Sequence, residues 1–371
     1  MGIHARIHGL TAALGLLAAV EVAHAEPLDP TLSRFVLDSN CNSFIDPASG
    51  LPVTGRYNPN YPAPGGNGEC TPRQELFTRL INDWAFIVAP NAMHSARTTG
   101  YGGFHFSLQG AYTKIANEQQ HWTLGAQGDR DPSTGQASTN ARPPALVQHY
   151  SIVARKSFGF GFETALNLGF VPSSSIITGG ADARIALLEG FRTGILGIFP
   201  DIAGGGSVRT ITGTTEFQLT VAAMDFQISK PLTIASSSVL TPWLGYQYLW
   251  IFGNSGLVDL TPATDPLGLC GFTGPDVPGT PGADQFNGQP QCAGGTSNDF
   301  NNNVVFDEVR LRRHRLMFGA NYRYEIVSVG AQFITDLLSP FDAQKSGSAE
   351  KAHLAGVPKQ WTLVLELGAH F

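Results

Sequence analysis

The side chains in this chain that have chemistry to offer recur at every second position. His105, Ser107 and Gln109 alternate with Phe104, Phe106 and Leu108. Glu163 and Asn167 alternate with Phe162, Thr164, Leu166 and Leu168. Gln218 and Thr220 alternate with Phe217, Leu219 and Val221. Gln247 stands between Tyr246 and Tyr248, and Glu366 and His370 stand among Leu363, Leu365, Leu367 and Ala369. A period of two belongs to a strand, whose successive side chains point to opposite faces. The polar set then shares one face and the apolar set the other. If the strands close on themselves, the first and last are neighbours, and Glu366 approaches His105. An acid beside an imidazole is the making of a proton-handling pair. The same residues also suit a hydrogen-bonded filling of a narrow interior, which is the preferred reading. Asp182, Asp336, Asp307 and His353 fall near strand ends without forming a constellation. No Gly-x-Ser-x-Gly, His-Glu-x-x-His or phosphate-loop pattern occurs. Catalytic residues, metal ligands and cofactors are therefore not expected.

The elements that carry these residues are ten alternating segments, at about 100–115, 144–156, 159–171, 179–189, 201–212, 215–229, 239–252, 306–323, 326–336 and 360–371. Each is long enough for a tilted membrane-crossing strand of about 9–11 residues. A twelve-strand alternative stays open, because residues 190–200 and the joint near Gly213 depart from the spacing. Connections at 157–158 and 324–325 are tight, whereas 116–143, 253–305 and 337–359 are long, and all the long ones fall on one side. The composition agrees. Only 14% of residues are charged and the mean hydropathy is -0.02, yet no long apolar run follows the N-terminus. A barrel with a greasy outer wall and a polar interior has this balance. The fold class expected is all-β: a single closed antiparallel transmembrane barrel over 100–371. A formal charge of -6 argues against a nucleic-acid partner.

Residues 1–25 read as a secretory signal peptide, with Arg6 in a basic head, Leu10–Val20 as the apolar core and Ala23-His24-Ala25 before the cut. Residues 26–99 read as a periplasmic or plug-like segment. Within it 72–89 has helical spacing in Leu76, Leu80, Trp84, Ile87 and Val88, with Thr71 and Gln74 as a capping box and Pro90 as the stop. Asp38, Asn40, Asn42, Phe44 and Asp46 partly match a calcium loop, but Ser43 and Ser49 replace its glycine and its bidentate acid. A polar turn is preferred there. Export makes disulfides the expected state of the cysteines, and the local pairs Cys41–Cys70 and Cys270–Cys292 each close a Gly/Pro-rich loop.

The last residue, Phe371, is preceded by Ala369, Leu367, Leu365 and Leu363 at alternate positions. This resembles the C-terminal assembly signal of bacterial outer-membrane β-barrel proteins. The resemblance implies the outer membrane of a Gram-negative cell, with membrane lipid, lipopolysaccharide and the barrel assembly machinery as partners. In that setting the basic run 310–315 gains a role. Arg310, Arg312 and His314 would face outward above the apolar belt, where guanidiniums suit lipopolysaccharide phosphates. Arg313 and Arg315 would point inward near the mouth and favour anionic solutes. Solvated pairing with Asp307 and Glu308 is the plainer alternative. The functional expectation is passive transport or binding of small solutes. A non-transporting surface or envelope barrel and an outer-membrane hydrolase or protease are the rivals.

Overall fold

The computed structural model describes residues 26–36, 72–128, 143–190, 199–235, 237–259 and 303–371, and the short strands 44–45, 52–53, 268–272 and 290–294. Ten strands form the barrel: β1 (Phe104–Lys114), β2 (Leu146–Ser157), β3 (Phe162–Phe170), β4 (Ile177–Leu188), β5 (Asp201–Thr212), β6 (Phe217–Ser229), β7 (Ser238–Ser255), β8 (Val309–Tyr324), β9 (Val327–Asp336) and β10 (Trp361–His370). Each pairs antiparallel with its sequence neighbours. The sheet closes where β10 meets β1, from Thr362 opposite Thr113 to His370 opposite His105. Closure leaves no unpaired edge, which a hydrocarbon setting would not tolerate. The strands coincide with the ten expected segments, and the twelve-strand alternative does not occur among the described residues.

Alternation decides which way each side chain points. In β1, Phe104, Phe106 and Leu108 are exposed on the outer wall while His105, Ser107, Gln109 and Thr113 are buried within. Outward Leu108, Ile152, Leu166 and Met224 are each more than half exposed, an arrangement that only lipid makes favourable. Aromatic rings edge this band at both ends. Tyr112, Tyr150 and Phe170 stack in sequence at one end, with centroids 6.3 and 5.9 Å apart. Phe104, Phe106 and Phe371 do so at the other, each 6.3 Å from the next. Such girdles sit where ring edges meet headgroups. Phe371 continues the closing seam, its N–H donating to the Phe104 carbonyl at 2.8 Å. No described helix is long and apolar enough to cross a membrane.

Among the described residues, a helix occupies the interior. Helix α1 (Gln74–Val88) stands inside the barrel, with every residue from Leu76 to Val88 but Arg79 buried. It touches strands around the circumference, among them β1, β2, β5, β6, β7 and β8. Its apolar side forms the protein's main core with lumen-facing Phe217, Leu219, Val221, Leu249, Ile251 and Leu311. Trp84 lies 5.7 Å from Trp122 of the loop after β1 and 6.4 Å from Phe217. Phe306 covers the top, 5.0 Å from Phe77 and 6.2 Å from Phe35. The helix begins after Arg73 without a side-chain cap. Thr71 lies outside the described residues, and the expected capping box is replaced. The Gln74 amide instead exchanges two 3.0 Å hydrogen bonds with the Asp307 backbone, which moors the helix to the loop before β8.

The N-terminal segment also departs from expectation in its location. Residues 26–36 lie among the long connections, at the end opposite Phe104 and Phe371, and not beside the short turns. Leu28 N–H donates to Ser173, Thr31 N–H to Gly125 and Leu32 N–H to the Glu216 carboxylate, the last at 2.7 Å. The physical reason is the direction of α1. It enters at the long-loop end, and the chain leaves at the short-turn end to begin β1. Burial pushes the Glu216 carboxyl above its ordinary range, opposed in part by the Leu32 N–H.

Candidate functional site: a plugged lumen

Below α1 the chain runs on as an irregular strap, Pro90–Thr99, down the lower lumen. A backbone in this position cannot join the sheet ladder, so its polar groups need other partners. The wall supplies them. Arg315 donates to the Pro90 carbonyl. Gln332 Nε2 donates to Asn91 O at 2.7 Å, Gln227 Nε2 to Ala92 O at 3.0 Å and Arg155 Nη2 to Met93 O at 3.4 Å. Arg184 donates to Ser95 O and, at 3.1 Å, to Arg97 O. The Ala96 N–H in turn donates to Ser229 Oγ at 3.1 Å. The strap is held carbonyl by carbonyl, by side chains from strands all around the barrel.

The polar side of α1 is clamped by charge. Arg313 of β8 is fully buried. It forks onto Asp336, with Nε 3.0 Å from Oδ1 and Nη2 on Oδ2. Its Nη1 reaches Asn82 Oδ1 of the helix at 2.7 Å and Gln360 Oε1 at 3.0 Å, and the guanidinium lies 4.6 Å over the Phe86 ring. Arg315, also buried, bonds Gln247 Oε1 with Nε at 3.0 Å and lies 5.1 Å from the same ring. Next to it Asp83 accepts from His121 Nε2 at 3.0 Å, Trp122 Nε1 at 2.7 Å and Asn82 Nδ2 at 3.0 Å. Arg79 fixes the helix to the last long loop by a 2.8 Å bond to His353 O.

At the short-turn end Glu163 gathers a second cluster. Arg184 Nη2 approaches it at 2.7 Å and Arg155 Nε at 3.3 Å, with Thr99 N–H at 3.1 Å. His105 stacks on His370 at 4.1 Å and reaches Ser328 Oγ at 3.3 Å. Glu366 does come near His105, at 4.0 Å, but its closer partners are Gln109 Nε2 at 2.8 Å and Asn321 Nδ2 at 3.3 Å. Between strap and wall a cavity of about 290 Å³ remains, bounded by His94, Arg97, Thr99, Arg155, Thr241, Asn321, Arg323 and His370.

Of the expected lumen residues, His105, Ser107, Gln109, Glu163, Asn167, Gln247 and Glu366 are buried inside, and His370 lines the cavity. Gln218 and Thr220 are corrections, because they face outward. Phe217, Leu219 and Val221 turn inward in their place, since this sector of wall meets the apolar side of α1. Arg313 and Arg315 do point inward, but they grip the plug and its wall and are not free at a mouth. Arg310 and His314 are on the outer face of β8, where Arg310 pairs with Glu308 at 2.7 Å and His314 Nδ1 meets Tyr246 OH at 2.6 Å. Arg312 shares that face, opposite Trp250 of β7. Cys41 and Cys70 lie outside the described residues, as do Asp38, Asn40, Asn42 and Asp46. Cys270 and Cys292 stand opposite each other in a two-stranded ribbon. The strap and its holders Arg155, Arg184, Gln227 and Gln332 were missed. The available signal was a long polar side chain on the lumen face of strand after strand.

Structures similar to this one are bacterial outer-membrane barrels. The attachment invasion locus protein Ail of Yersinia pestis is 11% identical, with 73% of this chain and 100% of that chain covered and a TM-score of 0.23. Neisserial surface protein A is 9% identical over 72% and 97%, with a TM-score of 0.24. Omp33 of Acinetobacter baumannii is 7% identical over 73% and 100%, with a TM-score of 0.22. Neither a protein-family model nor a curated protein matches the chain. At these identities and scores nothing about function passes to it from them.

Proposed function

We propose that this is an exported outer-membrane barrel whose lumen is a folded core and not an open channel, and which acts through the surfaces at its two ends. The supporting observation is α1, buried from Leu76 to Val88 except at Arg79 and packed against wall strands and loops at once. Leu76, Phe77, Leu80, Ile81, Trp84, Phe86, Ile87 and Val88 are all within 2% of complete burial. At about 1.5–3 kcal/mol for each such side chain, expelling the helix forfeits on the order of 10–20 kcal/mol. Thermal gating does not span that range. Planar-bilayer recording of the full mature chain is the test. A silent membrane is expected, and sustained open-channel current overturns the reading.

The strap favours a second reading, in which small solutes pass along its course. It is held mainly by side-chain bonds to backbone, and water exchanges for such bonds at about 0.5–1.5 kcal/mol each. Substituting Gln227 and Gln332 together by alanine then introduces current where the parent chain gives none. On the outer wall, Arg310 and Arg312 beside Tyr248 and Trp250 suit lipopolysaccharide phosphates at the headgroup level. Loss of copurifying lipopolysaccharide in R310A/R312A checks that contact. Phe371, at the short-turn end of the closing seam, is the proposed handle for the assembly machinery. Its deletion should slow barrel insertion.

A further inference from the structure

Strap residues His94 to Thr99 form one side of the cavity at the short-turn mouth, and its charge is one-sided among the described residues. Arg97, Arg155 and Arg323 line it against one carboxylate, Glu163. That carboxylate is already committed to the buried guanidiniums of Arg184 and Arg155 and to Ser157 and Thr99. Arg97 is partly neutralised by Glu189 at 3.5 Å. Arg155 is spent on Glu163, His105 and Met93. Arg323 differs from both. It falls on the lumen parity of β8, in step with Arg313, Arg315 and Asn321, yet it is exposed and has no ion pair or side-chain hydrogen bond among the described residues. Beside apolar Pro231 and Val239, the neutral lining offers donors and acceptors: Thr99, Thr241, Asn321 and the stacked pair His105 and His370. His370 Nδ1 is buried without a partner.

From this we infer that the short-turn vestibule binds a small carboxylate-bearing solute, with Arg323 as its principal anchor. A volume of about 290 Å³ is at the small end of ligand cavities, about 300–1,000 Å³, and suits a molecule of dicarboxylate size. Arginine matches a carboxylate with two parallel N–H donors, and the fixed positive surroundings raise the local anion concentration. The Thr241 hydroxyl and the Asn321 amide, which spends one donor on Glu366 at 3.3 Å, sit around the same space to take a second carboxylate or a hydroxyl. The inference does not rest on the closed lumen, because Arg323, Asn321 and Thr241 belong to wall strands β7 and β8 and keep their places whether or not the lumen conducts.

Isothermal titration of the detergent-folded full mature chain with succinate, citrate and inorganic phosphate tests it. Saturable one-site binding of a carboxylate is expected, weakened by added salt and about tenfold weaker in R323Q, the loss of one charge-assisted contact. Arg323 supports no other described group, so R323Q should keep the heat-modifiable gel shift of the folded barrel. R323K should bind between the two. If phosphate binds and neither carboxylate does, the solute class is wrong. Absence of saturable binding for all three anions, or affinity unchanged in R323Q, overturns the site. Current in the bilayer experiment would refute the closed lumen and leave this result untouched.

Discussion

Replacing Arg313 by methionine is the most informative single change. The guanidinium joins the wall to the plug through Asp336, Gln360 and Asn82, and it is fully buried. Methionine fills much of the same space over the Phe86 ring but carries no charge. Asp336 is then left buried, with the Gln360 N–H at 2.9 Å among its few remaining partners. Breaking a buried pair from one side costs about 3–5 kcal/mol, because an uncompensated charge stays behind. Removing both charges is far cheaper, so R313M/D336N should recover most of the loss and fall within about 1–2 kcal/mol of the parent. Urea unfolding from detergent micelles, followed by tryptophan fluorescence, reads this directly. Trp84 and Trp122 sit at the plug and report its release. An R313M loss below about 1 kcal/mol, or a double variant as damaged as the single, refutes the clamp.

Other consequences follow from the same geometry. Leu166 is 68% exposed on the outer wall, so L166R should cost about 2–4 kcal/mol if it meets hydrocarbon near the midplane; a neutral effect in vesicle refolding would place that face in water. Glu216 has a raised carboxyl pKa in the folded state, so its contribution is present below its unfolded value, about 4.3, and is lost as pH rises through the folded one. E216Q should therefore flatten the pH dependence of the urea midpoint above pH 4.3 and leave stability at pH 7 no lower; a clear drop at pH 7 contradicts this. The ribbon register sets Cys270 opposite Cys292, so non-reducing peptide mapping should recover that pair as a disulfide, and free thiols at both positions would disprove it.

The barrel was legible in the sequence because its signal is local. Alternation over ten residues is enough to mark a strand, and closure follows from the need to pair both edges. Even the inward and outward sorting of β8, with Arg313 and Arg315 inside and Arg310 and Arg312 outside, followed from parity alone. The exception shows where parity fails. In β6 both faces offer plausible lumen residues, and the rule of polar inside chose Gln218 and Thr220. The true selector is a partner 130 residues earlier in the chain, the apolar side of α1. The strap was illegible for a related reason. Pro90–Thr99 has no period of its own, and its conformation is imposed by Arg155, Arg184, Gln227 and Gln332 from four separate strands. The capping residue Gln74 was drawn away by Asp307, a contact no local rule anticipates.

Amide hydrogen exchange of the folded chain in micelles, resolved to the peptide spanning residues 74–88, puts the internal helix to the proof. Enclosed in a dry lumen, that peptide should exchange as slowly as those from β1, β7 and β10, and only upon loss of the whole barrel. Exchange within seconds while the strands stay protected would mean that the helix lies outside, and that the barrel is hollow.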